Sequence, residues 1–147
     1  MPNFIVRRAV RLSNLFILVA IAIICFLAFV VLSTAYIAFG MFAANNWWPS
    51  LGEAMIRALA IRYVIAYALL SIGGMIVVPA LDSDVPINWC LALGCLWAIP
   101  YLTFAATVSS DNWVLTIVLA FGLVAAPVLG GIQFKSYLQR KLKRPPT

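Results

Sequence analysis

Charged residues divide this chain into four long stretches that carry no charge at all: residues 12–52, 63–81, 85–110 and 112–134. The hydrocarbon core of a bilayer, about 30 Å thick, is crossed by roughly 20 mostly apolar residues in helical form. Each stretch meets that length. The pattern predicts an all-α, polytopic integral membrane protein: a bundle of four transmembrane helices over residues 15–43, 58–80, 87–107 and 113–134. A basic N-terminal segment, 1–13, and a basic tail, 135–147, flank the spans, and the whole chain reads as a single transmembrane domain.

Local signals refine the boundaries. Ser13 or Asn14 can cap the first helix, since either side chain can accept from an orphan amide of the first turn. A run from there to Phe42 would be roughly 40 Å long at 1.5 Å per residue, so this helix is expected to tilt or to project beyond the hydrocarbon. Asn45, Asn46, Trp47, Trp48 and Pro49 predict a turn, with the tryptophans at an interface where the ring is buried and the N–H stays wet. Ser50 and Glu53 fit a capping box that starts the second helix at Ser50. That helix carries Glu53, Arg57, Arg62 and Tyr63 early and becomes wholly uncharged afterwards. It should therefore lie amphipathically at the interface and then span, with the arginine stems along apolar surface and their heads at the phosphates. Asp82, Ser83, Asp84 and Pro86 predict an acidic turn that caps the third helix. Ser109, Ser110, Asp111 and Asn112 predict the next turn before the fourth helix at Trp113. Pro100 and Pro127 predict kinks, which membrane helices tolerate. The tail should continue as a short helix and then lose order.

Composition agrees with burial in lipid. Apolar residues make up 65% of the chain and charged residues 10%, against roughly 25% charged in a soluble domain. The net charge of +6 does not point to nucleic acid, because Arg7, Arg8, Arg11, Lys135, Arg140, Lys141, Lys143 and Arg144 all sit beside spans in the two terminal segments. Only Arg57 and Arg62 fall on the other side. The excess of Lys and Arg belongs in the cytoplasm, so both termini are expected there, in a bacterial inner membrane or an equivalent one. The basic tail can also bind anionic lipid, each cation near the surface contributing about 1 kcal/mol. Ser33 and Ala35 resemble a signal-cleavage site, but the apolar run from Leu15 to Ala44 far exceeds the 7–15 apolar residues of a signal peptide. An uncleaved first span is expected.

Reactive chemistry is sparse. The chain has no histidine, the commonest metal ligand and general base. Cys25, Cys90 and Cys95 lie in apolar segments and are odd in number, which fits packing residues better than a disulfide framework. Cys90 and Cys95 lie about 140° apart on a helix and form no C-x-x-C pair, unlike the cysteines of quinone-using thiol oxidoreductases. Nor does the first span hold the glutamate of small four-helix multidrug antiporters. Neither an enzyme nor a cofactor is expected.

What remains is packing. Gly122, Ala126 and Gly130 recur every fourth residue and leave a groove for close helix approach. Gly73 and Gly74, with Ser71 nearby, are candidates for the opposing surface. Arg57 and Arg62 are candidates for contact with headgroups or an anion, although their five-residue spacing turns them about 140° apart. Glu53 is placed to pair with Arg57. A faint echo, Gly74, Pro79 and Leu81 against Gly122, Pro127 and Leu129, is too short to predict a repeat. The expected function is that of a small non-enzymatic inner-membrane subunit or accessory, acting through helix packing with another membrane protein or with itself. A homo-oligomeric channel or transporter lined by Tyr101, Thr103 and Thr116 is one alternative. A phage- or plasmid-borne lysis pore or toxin-immunity protein is another.

Overall fold

A computed structural model describes residues 2–81, 85–107 and 112–143, and the regular structure among them is all helical. The elements are α1 (Pro2–Asn46), α2 (Pro49–Arg57), α3 (Leu59–Ala80), α4 (Pro86–Thr107) and α5 (Trp113–Leu142). Among the described residues four segments are long and apolar enough to cross a membrane: Ala9–Asn46, Ala60–Ala80, Pro86–Thr103 and Trp113–Leu142. The chain is thus an all-helical protein with four candidate spans. The acidic turn Asp82–Asp84 and the turn residues Ser109, Ser110 and Asp111 lie outside the described residues, as does the end of the basic tail.

The first boundary differs from expectation. α1 does not begin at Ser13 or Asn14 but runs unbroken from Pro2. Nothing after Pro2 in this segment breaks a helix, and proline itself is tolerated in a first turn, where its missing N–H has no intrahelical partner anyway. Asn14, instead of capping, is buried at 5% exposure on the inward face. At 1.5 Å per residue, the 45-residue helix is about 68 Å long. Its far end is closed by the Trp47 and Trp48 amides, which both donate to the Ala43 carbonyl at 3.0 and 2.8 Å.

The second helix also departs from its expected form. The capping box is not made: α2 starts at Pro49, with extended Trp48 as an N-cap that supplies no side-chain bond. Ser50 lies inside the first turn, and Glu53 approaches Arg57 at 3.7 Å instead of reaching back. The single amphipathic-then-spanning helix is in fact two helices, broken at Ala58, where ψ is 78°. No glycine or proline causes the break. α2 lies antiparallel along the end of α1, with Gly52 against Ala44 and Gly40 against Met55 and Ile56. A Cβ at Gly52 would overlap the Ala44 backbone. This tertiary contact holds α2 to α1 while α3 departs into the bundle. The Arg62 guanidinium donates to the Ile56 carbonyl at 3.0 Å, satisfying one acceptor that the break frees.

Contacts between the long helices set their directions. Gly73 of α3 lies against Cys25 and Ile21 of α1, and the Cys25 thiol donates to Leu69 O at 3.6 Å, so α1 and α3 are antiparallel. α4 and α5 are antiparallel as well, with Gly94 against Val124 and Cys90 against Gly131. α3 and α5 run parallel: Tyr63 meets Leu119, and Ser71 meets Gly130. The first residues of α1 and the last of α5 therefore share one end of the bundle. Leu18, Leu70, Val77, Cys90, Leu93, Leu123 and Ala126 form its centre. α5 begins under a proper cap, Asn112 Oδ1 accepting from Leu115 N at 3.1 Å, and runs beyond Phe134 to Leu142 as the expected helical extension into the tail.

Candidate functional site

Most of the small residues singled out from the sequence come together in one seam between α3 and α5. Gly130 lies on the Ser71 carbonyl and Gly74 on the Pro127 carbonyl, so close that a Cβ at either glycine would overlap backbone oxygen. Ala126, one turn before Gly130 on α5, is fully buried at 0% exposure. Such contacts let two helix backbones meet directly, where dispersion is collected at short range instead of through intervening side chains. Gly122 faces the Tyr63 hydroxyl, which is held in place by donating to Leu119 O at 2.8 Å. Gly73 looks the other way, toward Cys25 and Leu93. The groove on α5 is therefore filled by α3 of the same chain.

α4 joins this seam through its own close approaches. A Cβ on Gly94 would fall 2.6 Å from Val124 Cα, and the Cys90 thiol donates to Gly74 O at 3.6 Å. Cys90 and Cys25 are buried in separate helix contacts, and Cys95 faces outward. The thiols thus serve different surfaces. Among the described residues no three His, Cys, Asp or Glu side chains are grouped to hold a metal ion. Thr116 Oγ1 donates to Asn112 O, and Thr103 Oγ1 lies within reach of Ile99 O and Pro100 O. These hydroxyls turn back on their own helices.

The two arginines separate. Arg57 is solvent-exposed, 82% for its side chain, and meets Glu53 only at 3.7 Å. Exposed pairs of this kind contribute at most about 1 kcal/mol. Arg62 is half-buried: one terminal nitrogen reaches Ile56 O, while its Nε is buried without a partner among the described residues. Two further buried atoms share that condition, Ser33 Oγ and Tyr36 OH on α1. In the sequence Ser33 stands out only as a cleavage-site candidate, and Tyr36 does not stand out at all. The only signal is spacing: three positions apart, Ser33 and Tyr36 share a helix face, while the intervening Thr34 is exposed on another.

These features describe an all-helical protein with four candidate membrane spans, in which α3, α4 and α5 make the closest backbone approaches and α1 packs against them. Compared with protein families, curated proteins and solved structures, the chain matches none.

Proposed function

We propose that the protein is a non-enzymatic subunit or accessory of a larger membrane assembly, located in a bacterial inner membrane with both termini in the cytoplasm, and that it engages its partner through α1. The orientation rests on the Lys and Arg excess at the end shared by the α1 start and the α5 end. The outward face of α1 carries the functional reading. Only 17% of its most apolar window is buried within the chain, against 39% for α5. That outward face also holds Ala20, Thr34 and Ala38, all exposed, which lie about 180–220° around the helix from the Cys25 contact. Small side chains there let a second helix approach closely. The α5 groove is already occupied by α3, so α1 is the better candidate for a partner.

A photo-cross-linking amino acid at Thr34 or Ala38, with one at Val118 on the outer face of α5 as reference, tests the assignment in cells. Adducts of defined mass from α1 alone are expected. A protein that purifies in mild detergent as a lone monomer, with no adduct from either face, would remove the basis for the reading.

A further inference from the structure

The buried, unpartnered atoms Ser33 Oγ, Tyr36 OH and Arg62 Nε belong to two helices but to one level. Cys25 of α1 packs against Gly73 of α3. Tyr36 lies eleven residues after Cys25, and Arg62 lies eleven before Gly73. Eleven residues make about three full turns, so in this antiparallel pair both side chains return to the face that Cys25 and Gly73 share. Ser33 precedes Tyr36 by three residues on the same side of α1 and is 8% exposed. A second route leads to the same place. Arg62 bonds Ile56 O, and Ile56 packs on Gly40, one turn beyond Tyr36.

The chemistry of this cluster is one-sided. The Arg62 Nε–H can only donate, and both hydroxyls can donate. Among the described residues no carboxylate lies within ion-pair distance of Arg62, the one ion pair being Arg57 with Glu53. A buried guanidinium N–H without an acceptor is costly, and a guanidinium flanked by hydroxyl donors is suited to a tetrahedral oxyanion. Depth narrows the source. Arg62 lies two residues inside the apolar segment Ala60–Ala80, near the level where arginines meet lipid phosphates. α2 is tied to Arg62 through the Ile56 carbonyl, and a headgroup from the bilayer would reach the buried atoms by parting α1 and α3.

We propose that Ser33, Tyr36 and Arg62 form a binding site for a phosphate group, supplied by a phospholipid headgroup entering from the bilayer between α1 and α3. Native mass spectrometry of the full-length protein, delipidated in mild detergent and titrated with phosphatidylglycerol, tests it. The wild type should retain the lipid. Arg62→Gln should weaken retention about tenfold, and Tyr36→Phe and Ser33→Ala about threefold each, in line with loss of charged and neutral hydrogen bonds respectively. Arg57→Gln should change nothing. Competition with inorganic phosphate distinguishes the sources: no displacement assigns the headgroup, whereas displacement keeps the site but assigns it to a soluble anion. Equal retention by the wild type and all four variants would overturn the proposal. Should Arg62→Gln fail to fold by circular dichroism, Tyr36→Phe and Ser33→Ala, which each remove a single hydroxyl oxygen, decide the matter.

Discussion

α1 and α5 are both long membrane helices, yet they are built on opposite rules. The α1 window has a mean hydropathy of 3.5 and is 17% buried, whereas the α5 window has 2.3 and is 39% buried. The more apolar helix is the one the rest of the protein covers less. In water the order would be reversed, because burial removes apolar surface from solvent. In lipid that drive between helices is absent, and close backbone approach decides contact instead. α5 accordingly spends its inward positions on Gly130, Gly131, Ala126 and Ala120, while α1 presents Phe16, Ile24 and Val31 outward. Between these two helices, the surplus of large apolar side chains lies on the uncovered one and the small side chains lie where another helix packs.

The sharpest way to break this contrast is to give α5 a large side chain. Gly130→Leu should destabilise the fold by about 3 kcal/mol through overpacking against the Ser71 backbone, measured by unfolding in mixed detergent with far-UV circular dichroism. Leu18→Ala, on the packed stripe of α1, should cost about 2 kcal/mol in the same assay through the cavity it leaves. Asn112→Ala removes the α5 cap and should cost about 1 kcal/mol, with faster amide exchange confined to the first turn of α5. Arg57→Gln should fall within about 0.5 kcal/mol of wild type, since the Glu53 pair is exposed. Ile24→Ala and Phe16→Ala, on the outward face of α1, should be smallest of all in detergent. A loss from Ile24→Ala equal to that from Leu18→Ala would show that α1 is packed on both sides and would erase the difference between the two helices.

The spans were legible because charge is excluded from the hydrocarbon, and the residues between Arg62 and Asp82, or Asp111 and Lys135, carry none. The α5 stripe was legible too, because its four-residue spacing matches a helix face. Its partner was harder to read. Gly74 contacts Pro127, five residues beyond Gly122, and only the parallel register of α3 and α5 sets that pairing. The break at Ala58 left no local mark, since Ala58 favours helix and its neighbours do not oppose it. It arises from α2 docking on Ala44 and Gly40, contacts between segments joined by a turn. The capping box failed for a different reason: Pro49 could take the first turn itself, and Glu53 found Arg57. The break at Ala58 thus came from a neighbouring helix, whereas the capping box lost to partners within α2 itself.

The uneven apolarity of the spans also bears on how the chain enters the bilayer. The stretch Pro86–Thr103 of α4 is the least apolar of the four candidate spans. Helices of that kind gain least from partitioning alone. α4, however, meets α5 through Gly94 on the Val124 backbone and Cys90 on Gly131. The least apolar helix is thereby held by its neighbour, so α4 and α5 should enter the bilayer together as a hairpin, whereas α1, the most apolar, should partition without that help.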